Sequence, residues 1–217
     1  QGCNDVFYIS TDQTFSPDDI LLGNIDHNIV LPNYSYEEYS FTAHISGIPE
    51  GEYFIIIYGD ARNSFYEVDE NNNRGYSAYP FEVKVSELFF DTPVTFKLKD
   101  LVHKDFKLNI YGNINETVRI HVSSPDSEKG AVNNIYVKHN NMGSNMDYDF
   151  STDGDMDGNS EVYIPTTRAG YYGISVMGED PIDDEQMVTI EANILPFEIR
   201  SVESNVAGNT GKVTVKL

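Results

Sequence analysis

Residues 151–165 read STDGDMDGNSEVYIP, with acids at 153, 155, 157 and 161. Asp153, Asp155 and Asp157 precede Gly158 at the spacing that opens an EF-hand loop, where alternate oxygens meet the ion and glycine turns the chain. Asn159 falls where a backbone carbonyl would coordinate, and Glu161 lies two positions on; Ile164 occupies the place of the closing glutamate. An EF-hand is thereby excluded. An oxygen-rich loop between strands still suits calcium, and does not suit zinc or copper. The same stretch also reads as a solvated turn. No Lys or Arg lies between Lys138 and Arg168, and two carboxylates ~4 Å apart repel by roughly 4 kcal/mol at an effective dielectric of ~20. Gathering these acids therefore calls for an ion, whereas splaying them into water does not. Asp147 and Asp149 would add oxygens from the preceding strand.

Other reactive residue types are dispersed. In EVDENNNR, residues 67–74, Asn and Asp side chains are expected to bond nearby amides and shape a turn rather than hold a metal. The histidines at 27, 44, 103, 121 and 139 form no ligand spacing for zinc. His44 and His121 are expected on the polar faces of strands. No serine sits in a nucleophile elbow, and Cys3, near the start of the chain with no histidine close in sequence, makes a poor nucleophile. Tyrosines at 34, 36, 39, 76, 79, 171 and 172 suit either a recognition surface or packing inside a sandwich, and packing is the expectation. No catalytic signature emerges, so a non-enzymatic role is expected.

Charge narrows the partners. Fourteen basic and 35 acidic residues leave a net charge of -21, which repels phosphate backbones and argues against nucleic acid. No stretch approaches the ~20 apolar residues of a membrane-spanning helix, so membrane insertion is not expected of this segment. No signal peptide is visible, and the chain is expected to be a mature form or a piece of a longer protein. A single cysteine rules out an internal disulfide framework.

The positioning elements are strands. Phe41, Ala43 and Ile45 alternate with polar neighbours; so do Phe106, Leu108 and Ile110, then Val118, Ile120 and Val122, then Val188, Ile190, Ala192 and Ile194. Period two marks strands with one face on a core and one in water. Turn clusters such as GIPEGE, DENNNRG, SSPDSEKG, NNMGSN and DGDMDGNS separate them at roughly 8–12 residues, the rhythm of β-sandwiches. DPIDDEQM, residues 180–187, offers at most one helical turn. The expected fold is all-β: tandem antiparallel sandwiches, Ig-like and then jelly-roll-like, in units 1–85 and 86–195, with residues 196–217 starting a third β module. YPFEVKV reads as a closing strand, SELFFDTP as a connector and VTFKL as a new start.

Residues 5–83 resemble the bacterial cell-adhesion-related (CARDB) module, an immunoglobulin-like sandwich. The resemblance rests on Ser10, Asp12, Asp18, Asp19, Gly23, Pro49, Gly51, Tyr53, Glu67, Glu70, Asn71 and Asn72. The family's early strands are missing, and Cys3 stands where an aromatic is common. That departure implies a sheet edge near residues 5–10, either because the sequence begins partway into the module or because another chain pairs it. Residues 94–195 are similar to the bacterial pre-peptidase C-terminal (PPC) domain, through Ile135-Tyr136-Val137, Tyr148-Asp149-Phe150, the acidic loop and Ala169-Gly170-Tyr171-Tyr172 leading into Ile174 and Val176. Some members of that family bind collagen and calcium; only the fold is carried over here. The tail from Phe197 is similar to the opening of an immunoglobulin-like or TIG-type module.

These resemblances imply a non-catalytic segment of a secreted or cell-surface prokaryotic protein. It would act in adhesion or substrate binding and as a spacer, calcium-stiffened at Asp153, Asp155, Asp157, Asn159 and Glu161. Its partners would be an extracellular protein or glycan, or neighbouring modules and subunits. Two alternatives stand beside it: a subunit of an extracellular fibre assembled by strand complementation, and auxiliary domains of a secreted peptidase.

Overall fold

The computed structural model describes residues 3–27, 38–69, 71–125, 127, 130–152, 158–179 and 185–196. Every regular element longer than one turn among them is a strand. The first sheet contains β1 (Cys3–Ser10), β2 (Ile20–His27), β3 (Gly51–Tyr58), β4 (Arg74–Tyr76) and β5 (Phe81–Val83). Its order is β2-β1-β3-β4, with β5 also on β3, and all of its pairs are antiparallel.

The opposing layer of this first unit is not a hydrogen-bonded strand. Residues 39–46, expected as an alternating strand, belong to no ladder. Their alternation nonetheless sets the packing: Phe41 stacks on Phe7 with ring centroids 4.5 Å apart. Phe41, Ala43 and Ile45 lie over Phe7, Leu22 and Ile55. Ile48 continues the layer into a small core with Ile9 and Tyr53. Ile45 departs from the pattern and stays largely exposed. Apolar periodicity here produced a cover for a sheet face, because burial needs only a face to lie on, whereas a ladder needs a neighbour in register.

The second unit is a two-layer sandwich. Its strands are β6 (Ser86–Leu88), β7 (Val94–Lys99), β8 (His103–Ile110), β9 (Thr117–Ser123), β10 (Val132–His139), β11 (Phe150–Ser151), β12 (Ser160–Ile164), β13 (Gly170–Glu179) and β14 (Glu185–Leu195). One sheet runs β11-β10-β13-β8-β6 and the other β12-β9-β14-β7. Registers stack the apolar faces. Ile120 stands opposite both Val162 and Ala192, and Ile174 opposite both Phe106 and Val137. These side chains are fully or almost fully buried, and each such burial favours folding by about 1.5–3 kcal/mol.

Four expectations need correction. The connector SELFFDTP is woven into the sandwich: β6 pairs with β8 in parallel and Phe90 bridges Ala192, also in parallel. The second unit is therefore mixed rather than purely antiparallel. Within 180–187, residues 185–187 open strand β14 instead of a helical turn, and 180–184 lie outside the described residues. Strand β1 is no open edge, for β2 and β3 flank it on either side. A strand donated near residues 5–10 has no free ladder to join. The expected third module lies outside the described residues except for its first position.

Candidate functional site

The acidic loop divides. Asp153, Asp155 and Asp157 lie outside the described residues. The Asn159 side chain is engaged locally, accepting the Ser124 amide at 3.1 Å and donating to the Ser127 hydroxyl at 3.1 Å. Glu161 projects from β12, opposite His121 in the register, and accepts the hydroxyl of Tyr163. No hydrogen bond among the described residues joins Asn159 to Glu161. Asp147 and Asp149 have other partners: Lys138 reaches back to Asp147, and Asp149 accepts the His139 amide at 2.9 Å. Lys138 thus supplies a countercharge from outside the stretch that lacks one. At Asp69 the expected turn role holds, its carboxylate accepting the Asn71 amide at 3.0 Å.

A cluster of polar contacts lies where the two units join. Strand β5 ends at Val83 in the first sheet and β6 begins at Ser86 in the second, so Lys84 and Val85 alone connect them. The turn after the covering segment docks on β8. Gly47 donates its amide to Asp105 Oδ2 at 2.8 Å, and Lys107 pairs with Glu50 at 2.6 Å. Lys107 also lies 5.1 Å from the ring centre of Tyr171, which flanks it on β13. The ion pair holds Glu50 below the usual carboxylate range and Lys107 above the usual ammonium range.

Beside these clamps opens a cleft of about 310 Å³ between Ile45, Ile48, Phe81 and Val83 on one side and His103 and Asp105 on the other. His103 and Asp105 share a strand face because they are two residues apart on β8. Ser175 stands directly opposite Asp105 on β13 and bonds His103 Nδ1 at 2.9 Å. Burial pushes Asp105 above the usual carboxylate range and His103 below the usual imidazole range.

Serine, histidine and aspartate together invite comparison with a hydrolytic triad, and the geometry differs. A triad places the carboxylate on one imidazole nitrogen and an accessible serine on the other. Here the carboxylate faces the serine across the ladder, and Ser175 is completely buried. Ser175 bonds His103 and is closed to solvent, so this arrangement presents no accessible serine.

Sequence reasoning missed this cluster. The signal was present as HKDF, residues 103–106, but Ser175 and Gly47 enter only through pairing 70 and 58 residues away in sequence. A second missed cluster surrounds β1. His27 Nε2 lies 3.0 Å from Asp5 Oδ2, Asp60 donates its amide to Asp5 Oδ1, and the Cys3 thiol lies 3.4 Å from the same oxygen. Burial, then Asp5, pushes the Cys3 thiol up to about 11, which keeps it protonated at neutral pH.

The tyrosines divide by burial. Tyr172 is fully buried and accepts the Arg168 amide at 3.1 Å, while Tyr76 and Tyr79 remain exposed. Tyr34 and Tyr36 lie outside the described residues. Arg74, beside Tyr76, rests about 5 Å from the rings of Phe15 and Tyr58.

No protein-family model matches the chain, and no curated protein matches its sequence.

Proposed function

We propose that this chain is a non-catalytic spacer and binding segment of a secreted or cell-surface protein, in which two β units are held as one stiff piece. The observation that carries the reading is the joint. A two-residue connector leaves little freedom between the sheets, and the Gly47–Asp105 and Glu50–Lys107 contacts clamp it from a segment distant in sequence. Interfaces between domains of one chain permit relative motion by default unless contacts restrain them. A spacer needs that restraint, because its task is to hold position.

Kinship to adhesion-related and pre-peptidase modules, an extracellular protein or glycan as partner, and calcium at the acidic loop all belong to this proposal. The strong negative charge supports it by keeping a surface segment soluble and repelling nucleic acid.

Limited trypsin digestion tests the joint. Lys84 is an exposed cleavage residue placed in the connector itself. A stiff joint leaves the Lys84–Val85 bond intact while the chain remains folded. Rapid release of two folded pieces at this bond would contradict the reading, and turnover of any substrate by the chain would overturn its non-catalytic part.

A further inference from the structure

Asp105 serves the joint in an unusual way. Oδ2 accepts the Gly47 amide from the other unit, whereas Oδ1 is shut off from solvent with no hydrogen-bond partner. The Ser175 hydroxyl and the Gly47 amide both favour the carboxylate, and burial outweighs them; the Ser175 hydroxyl also bonds His103 Nδ1 at 2.9 Å. An ionised carboxylate with one orphaned, buried oxygen is costly, while the neutral acid places a proton on that oxygen and removes most of the cost.

We propose that Asp105 makes the joint proton-sensitive: the turn at 45–48 docks on β8 more tightly when Oδ1 carries a proton than when the group is ionised. The inference rests on the clamped joint described above. Undocking the turn lets water reach the carboxyl group, which then titrates as an ordinary aspartate. Docking is thus fully favoured below the ordinary aspartate range and loses that advantage as pH rises through the raised value of the docked state.

The charged groups around Asp105 modulate this without supplying it. On its own strand stand His103 and Lys104, and both favour its ionised form. Glu82 and Lys84, from β5 and the connector, line the same cleft with opposite signs. β13 contributes the neutral Ser175. His103 acts in the opposite direction: burial lowers it, so its charging in acid opposes docking. Separating the two groups by substitution is therefore part of the test.

The experiment is an NMR titration of the full chain, following the Asp105 carboxyl carbon and the exchange protection of the Gly47 amide, corrected for intrinsic exchange. The proposal expects Asp105 to titrate above the ordinary aspartate range. Gly47 protection should fall by about tenfold per pH unit between the undocked and docked values. Asp105→Asn keeps an oxygen for Gly47 and removes the charge, so its protection should hold at the acid level of the parent across that range. His103→Gln should retain the fall. An Asp105 midpoint in the ordinary range overturns the proposal, as does a Gly47 profile identical in parent and Asp105→Asn. If the asparagine variant fails to fold, the parent still decides: Gly47 protection must fall below the carboxyl-carbon midpoint and level off above it, and a profile that is flat below that midpoint or goes on falling beyond it refutes the link. Cleavage at Lys84 with an intact Gly47 titration would instead fault the stiff-spacer reading alone.

Discussion

At Gly173, a single added carbon would stand 2.2 Å from the carbonyl oxygen of Asn141 and 2.8 Å from the Met142 Cα. Backbone cannot yield as a flexible side-chain end can, so Gly173→Ala forces β13 and the 141–142 turn apart. The expected loss is about 1–3 kcal/mol, read as a lower denaturant midpoint, and an unchanged midpoint would contradict the packing. Cys3 gives a second residue-level test. Its thiol is raised to about 11, and reaction requires the thiolate. Alkylation of the folded chain at neutral pH should run on the order of 100-fold slower than that of an ordinary cysteine and accelerate with each rise in pH. Labelling at the ordinary rate would show that Asp5 and burial do not govern this group.

Among the elements, β6 is the one whose contribution is least visible in sequence. It has three residues, yet Leu88 is 1% exposed and sits in the sandwich core. Leu88→Ala should cost about 2–5 kcal/mol by leaving a cavity, and a cost below ~0.5 kcal/mol would mean that the segment is only a connector. The second elemental test concerns the covering segment. A Cβ on Gly23, whose φ is +151°, would meet the Phe41 ring at 2.7 Å. Gly23→Ala should therefore destabilise the first unit while the second melts as before, and loss of both together would show one cooperative body.

These two elements also show where sequence reading stops. The strands β8, β9 and β14 were legible because alternation at Phe106–Ile110, Val118–Val122 and Val188–Ile194 is a local signal of a half-buried face. Pairing is not local. Nothing near Ser86 announces a parallel neighbour on β8, and nothing near Phe41 announces that its face packs without a ladder. The joint was hidden for the same reason. His103 and Asp105 are adjacent on a strand face, but their partners arrive through topology. Of the acidic loop, the sequence spacing was plain, while Asn159 and Glu161 proved occupied by Ser124, Ser127 and Tyr163.

At the scale of the whole molecule, two sheet assemblies meet across a connector of two residues, and their registration depends on a few polar contacts. Glu50 is held below its ordinary range by Lys107, so the pair stabilises the joint above that range. Its contribution disappears as pH falls through the lowered Glu50 value. Both side chains touch solvent, which limits the effect to below ~1 kcal/mol. Glu50→Gln should melt slightly earlier than the parent at neutral pH and match it in strong acid. A difference that persists undiminished in acid would remove the ion pair from the account.

The most direct measurement is ¹⁵N relaxation of the full chain, with the amides of β3 and β13 fitted separately. A joint clamped at Gly47–Asp105 and Glu50–Lys107 predicts that both strands report one common rotational diffusion tensor. Two distinct tumbling times, one for each unit, would contradict it.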